Sequence, residues 1–201
     1  MKTANDIISH MESMRNEAQR RALSGFFKAG PGEYGEGDEF LGIKVPQTRK
    51  VVKAACGTPL GEVPKLLMSS WHEVRLCGLL LLVDRFERLA KGRLVHDVDA
   101  TKGRDEVLTL YLNHAERVDN WDLVDLSAPK ILGHWLLLPT RLGDGSADYK
   151  LQVMDRLAQI DNLWLQRMSM VSTWKTTRQG DPSWCLALCR DSSPSSPRPH
   201  A

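Results

Sequence analysis

Apolar residues recur at intervals of three or four along most of this chain, and Gly, Pro or small polar residues break the pattern at lengths that suit short helices. Ile7, Ile8, Met11, Met14, Ala18 and Ala22 keep that spacing after Thr3. With Asn5 or Asp6 as cap, they predict one long amphipathic helix from about Asp6 to Ala29, stopped by Gly30-Pro31-Gly32. A Gly-rich acidic loop follows to Phe40, in which Tyr34 and Phe40 are the only large apolar anchors. No Gly-Lys-Ser/Thr follows its glycines and its acids would repel phosphate, so the loop is not a P-loop. Val45-Pro46 opens the next helix, where a proline in the first turn costs no hydrogen bond, and Gly57 closes it. Further helices are predicted over about 60–69, 71–90, 103–117, 120–127, 129–138, 147–160 and 163–178.

No segment alternates apolar and polar residues between hairpin turns, so a sheet has little support and the fold class is all-α. One faint internal echo is present. Trp71-His72-Glu73-Val74-Arg75 precedes the apolar run Leu76 to Val83, and Trp164-Leu165-Gln166-Arg167 precedes Met168 to Trp174. Self-similarity of this kind between helix pairs is what a diverged helical array shows, because each pair needs its neighbours to bury its apolar faces. From Gly180 the character changes. Trp184 to Cys189 can form a last turn or two of helix, whereas the Ser/Pro run from Ser192 to Pro199 has nothing to pack and is expected to be disordered.

With 201 residues the chain is long enough to bury a substantial core as one domain or a short repeat array. The run Leu76 to Val83 is the longest apolar stretch and is far too short for a bilayer span, and Met1 to His10 is too polar for a signal peptide. A soluble, cytoplasmic protein is expected. Cys56, Cys77, Cys185 and Cys189 form no CxxC pair and stand at no zinc-ligand spacing from histidine, so reduced thiols are expected and neither a disulfide framework nor a metal site. The formal net charge is only +2, which would not by itself suggest a nucleic-acid partner. Local clustering matters more, since phosphate attraction is screened within about 10 Å at ordinary salt. Lys44, Arg49, Lys50 and Lys53 gather in one turn-and-helix unit and suit backbone phosphates; an ordinary solvated helix face produces the same pattern.

The residues with the clearest chemical potential are Trp121 and Asp125. Asp119 or Asn120 can cap their helix, and the i, i+4 spacing sets indole and carboxylate on one face, where they can meet one ligand. A core tryptophan and a solvated or salt-bridged acid would show the same spacing.

Three blocks in order carry a resemblance: Gly32 to Pro46 (GEYGEGDEFLGIKVP), Asn120 to Asp125 (NWDLVD) and Asp161 to Arg167 (DNLWLQR). Together they resemble the AlkD-type DNA alkylation repair glycosylases, over about Asp6 to Arg178. The resemblance implies a right-handed HEAT-like, armadillo-type solenoid at 1–179 with a diverged or truncated tail at 180–201. It implies excision of cationic N3- or N7-alkylpurines from duplex DNA without a cofactor or metal, by a protein expected to be monomeric. In that reading Asp125 stabilises positive charge developing on the deoxyribose, Trp121 presses its ring against the sugar, and Arg167 grips a neighbouring phosphate. The duplex would lie along a concave surface with the base left unenclosed. Family members continue with a helix bearing Gly-Trp followed closely by Arg-Glu, and the chain shows no such segment. The alternative is therefore a non-catalytic HEAT-like DNA-binding protein or inactive remnant. A helical interaction scaffold is a third reading, but it would not require Trp121, Asp125 and Arg167.

Overall fold

The computed structural model describes residues 1–139 and 146–191, and the expectation for the Ser/Pro tail lies outside them. Among the described residues every regular element is helical, in ten α-helices: α1 (Ala4–Ser13), α2 (Glu17–Phe26), α3 (Val45–Ala54), α4 (Val63–Leu67), α5 (His72–Leu89), α6 (Val98–Asn113), α7 (Trp121–Leu137), α8 (Ser146–Gln159), α9 (Leu163–Thr177) and α10 (Ser183–Asp191). The all-α reading holds. Helices close in sequence pack on one another, α4 on α5, α5 on α6, α8 on α9 and α9 on α10, which is the nearest-neighbour packing of a helical repeat. None of these helices is long and apolar enough to cross a membrane.

The chain forms two compact units, Met1–Ser127 and the remainder from Ala128. The first is built around α5, where Val74, Leu76, Leu79, Leu82 and Phe86 are buried. Each such side chain contributes roughly 1.5–3 kcal/mol on burial. Gly78 lets α4 settle close, because a Cβ there would stand 3.0 Å from both Leu66 Cβ and Leu67 Cδ2. In the second unit Met154, Leu157, Leu165, Met168 and Leu188 form the core. Asn162 Oδ1 starts α9 by accepting from the amides of Trp164 (2.9 Å) and Leu165 (3.1 Å).

Several boundaries differ from the sequence reading. The predicted long helix over 6–29 is two helices. Thr3, rather than Asn5 or Asp6, caps the first in a capping box with Asp6, and Asn16 Oδ1 caps the second through the Gln19 amide at 2.9 Å. The break is fixed by tertiary contacts. The Asn16 amide donates to the Leu41 carbonyl at 2.9 Å, and the backbone there lies so close to Gly42 (φ +86°) that no Cβ would fit. The helix predicted to begin near 103 begins at Val98, because Asp97 Oδ1 accepts from the Ala100 amide at 2.8 Å. The predicted stop before Pro129 is absent. α7 runs through the proline because Leu123, Val124, Ala128, Ile131 and Leu132 are wholly buried, and their burial outweighs the roughly 3 kcal/mol cost of a mid-helix proline.

Candidate active site

The first turn of α7 and the loop after α2 build one pocket within the first unit. Trp121 and Asp125, both half-buried, line it together, as their spacing predicts. Its volume is about 380 Å³. Leu23, Phe26, Phe27, Phe40, Ile43 and Leu76 make its walls predominantly apolar. The aromatic rings are in contact. The Trp121 ring centroid lies 5.5 Å from that of Phe27 and 5.8 Å from that of Phe26, and Phe27 stacks on Phe40 at 5.4 Å.

Against the apolar wall lies a charged network that the sequence reading did not assign, and His72, Glu73 and Asp122 of it reach the pocket lining. His72, at the first position of α5, is buried. Its Nδ1 is 3.0 Å from Asp38 Oδ2 and its Nε2 is 3.0 Å from Asp122 Oδ2. Both carboxylates can only accept, so both ring nitrogens donate and the ring is an imidazolium. Burial by itself would push its pKa down, but hydrogen bonds and charge from Asp122 and Asp38 outweigh burial and raise it to about 9. Phe27 and Phe40 flank the ring with centroids 4.9 and 4.8 Å away. Burial works in the opposite sense on Asp38, pushing its carboxyl up, yet the His72 hydrogen bond, the Arg75 charge and the Asn120 amide hold it at about 2.

Arg75 completes the network. Its buried guanidinium donates to Asp38 Oδ1, to Asp119 Oδ1 at 3.1 Å and to the carbonyls of Ser69 and Ser70 at 3.1 and 2.9 Å. Asp119, just before α7, pairs with Arg75 and Arg117. Asn120 lies fully buried at the start of α7. Its Nδ2 donates to Asp38 Oδ2 at 3.0 Å and its Oδ1 accepts from the Trp121 amide at 2.8 Å. The neighbouring Glu73 turns back to the loop, where its carboxylate accepts from three consecutive amides, Leu41 (2.9 Å), Gly42 (2.8 Å) and Ile43 (3.0 Å). One helix end, His72-Glu73-Val74-Arg75, therefore fixes both the loop bearing Asp38 to Ile43 and the first turn of α7.

Of the basic residues singled out from sequence, Lys44 lines the pocket at the start of α3. Arg49, Lys50 and Lys53 are exposed on α3 and outside the pocket lining. Arg167 is half-buried on α9, in the second unit. Among the described residues no group of three His, Cys, Asp or Glu side chains could hold a metal ion.

Chemically, the pocket sets a carboxylate and an indole face side by side in apolar surroundings, where a cation would be stabilised by charge and by the ring quadrupole together. No curated protein and no solved structure gives a significant match. The family model described as DNA alkylation repair enzyme matches residues 7–197, nearly the whole chain, and the protein belongs to that family.

Proposed function

We propose that the protein is a DNA glycosylase that removes purines alkylated at N3 or N7 from duplex DNA by hydrolysing the N-glycosidic bond. The observation that carries this reading is Trp121 and Asp125 lining one apolar pocket in a chain of the DNA alkylation repair family. An N3- or N7-alkylpurine is already cationic and leaves as a neutral base, so the reaction needs no strong general acid. Positive charge moves onto the deoxyribose as the bond breaks. The Asp125 carboxylate stabilises that charge and positions the attacking water, and the Trp121 face favours the same cation while excluding bulk solvent. Lys44, Arg49, Lys50, Lys53 and Arg167 supply the phosphate contacts in this reading, and binding shows little sequence preference. Release of N7-methylguanine from a duplex, followed against its spontaneous depurination, tests the proposal. Release well above the spontaneous rate is expected. Duplex binding without any excess release would instead leave a non-catalytic DNA-binding protein.

A further inference from the structure

We infer that His72 is a positioning residue for this pocket: clamped between Asp38 and Asp122, it sets the placement of Trp121 and Asp125 at the start of α7. As an account of catalysis the inference rests on the glycosylase reading above, whereas as an account of the pocket's geometry it stands on the contacts alone.

The two carboxylates that His72 joins bracket Trp121 in the chain. Asp122 is the residue after it, and its Oδ1 also accepts from the Leu123 amide at 2.8 Å. Asp38 reaches the residue before it through Asn120, whose side chain bonds in turn to the Trp121 amide. One ring therefore holds the α7 backbone on both sides of the tryptophan, 3.0 Å from each carboxylate. A second route runs through the rings, since Phe27 touches both the imidazole and the Trp121 indole. Asp125 follows one helical turn later on the same face.

His72 does not reach the substrate in this role. Both of its nitrogens are occupied, its side chain is 2 % exposed, and it works through Asp122 and Asp38. The charged groups around it are Asp38 from the loop, Lys44 at the start of α3, Glu73 and Arg75 from its own helix, Asp119 just before α7, and Asp122 and Asp125 from α7. Of these, Arg75 pairs with Asp38 and Asp119, and Glu73 is engaged with the three loop amides. Removing the imidazolium charge would leave Asp122 facing a neutral ring and Asp38 held by Arg75 and the Asn120 amide alone. The first turn of α7 would then be free to shift, and a displacement of about 1 Å at a reacting group can cost on the order of 100-fold in rate.

The test uses the full chain and separates geometry from activity. In the wild-type protein, the His72 ring nitrogens and the Trp121 indole N–H are followed by NMR from pH 6 to 10, the indole signal being assigned by its loss in Trp121→Phe. Positioning by His72 requires both signals to move with one shared midpoint; an indole signal that ignores the His72 titration overturns the inference, whatever the enzyme does. Single-turnover release of N7-methylguanine is then compared for wild type, His72→Gln, Asp122→Asn and the double variant. Each single change is expected to slow release roughly 10- to 100-fold, and the double variant to lose little more than either, because the two side chains act as one unit. Additive losses, or a wild-type rate in folded His72→Gln, overturn it. A wild-type rate no faster than spontaneous depurination rejects the glycosylase reading and leaves the NMR outcome to decide the positioning role.

Discussion

Glu73 offers the most demanding check on how the pocket is held. The residue is 2 % exposed, and its carboxylate accepts from the amides of Leu41, Gly42 and Ile43 at N···O distances of 2.9, 2.8 and 3.0 Å. Replacing it by Ala strands three buried N–H groups at once. Each would cost roughly 1–3 kcal/mol unpaired, but water entering the vacated space recovers part of that, so about 3–5 kcal/mol of stability should be lost. Glu73→Gln is the finer probe. The Oε1 position accepts from Gly42 and Ile43 and could remain a carbonyl, whereas the Oε2 position would become an NH2 group facing the Leu41 N–H. One bond is lost and two donors are opposed, at a cost of about 2–3 kcal/mol. Urea unfolding followed by far-ultraviolet circular dichroism and by tryptophan fluorescence reads both variants. The order wild type, Gln, Ala in midpoint is expected. A Glu73→Ala protein within about 1 kcal/mol of wild type would refute the claim that this carboxylate fixes the loop.

The same network predicts a stability window in pH. The folded pKa of His72, about 9, lies above its ordinary 6.5, so its contribution is complete below about 6.5 and is lost as pH rises through 9; that of Asp38, about 2 against 3.8, is complete above about 3.8 and is lost as pH falls through 2. Thermal melts should therefore show a plateau from about pH 4 to 6.5, then a decline toward pH 9 in which His72 accounts for about 3 kcal/mol, partly offset above about 8 by Lys150, whose amine is held at about 8 by burial; a profile rising between about pH 6.5 and 8 would contradict the buried imidazolium. For the proposed nucleic-acid contacts, affinity for an unmodified duplex should fall with salt, and Lys53→Ala should weaken all sequences alike and flatten the log–log slope by about 0.9. Fluorescence anisotropy across a salt series measures this, and an unchanged slope removes Lys53 from the interface.

The Trp121–Asp125 pair could be read from local spacing, and the rest of the pocket could not. Trp121 and Asp125 are four residues apart on one helix, so helical geometry alone sets them together, and the structure does so. The clamp behind them depends on contacts across the chain: Asp38 lies 34 residues from His72 and 82 from Asn120, and no periodicity links them. One local signal was available. His72, Glu73 and Arg75 are three ionisable residues opening the helix whose apolar run is the longest in the chain, and ionisable groups so placed need partners from elsewhere. The merged reading of α1 and α2 has a similar origin. Ile7 and Met11 of α1 and Ala18 and Ala22 of α2 fall on one period, so the pattern passes through Asn16 unbroken, although Asn followed by Glu is a helix-start signal. The continuity of α7 through Pro129 reflects burial that only the tertiary structure supplies.

The central claim, that Asp125 stabilises a developing cation on the sugar, is tested most directly by single-turnover release of N7-methylguanine from a duplex by wild type and Asp125→Asn. The amide keeps the shape of the side chain and loses its charge. The account predicts folding and duplex affinity within about twofold of wild type and a release rate lower by about 100- to 1,000-fold. Equal rates for the two proteins, whether both fast or both at the spontaneous level, would contradict it.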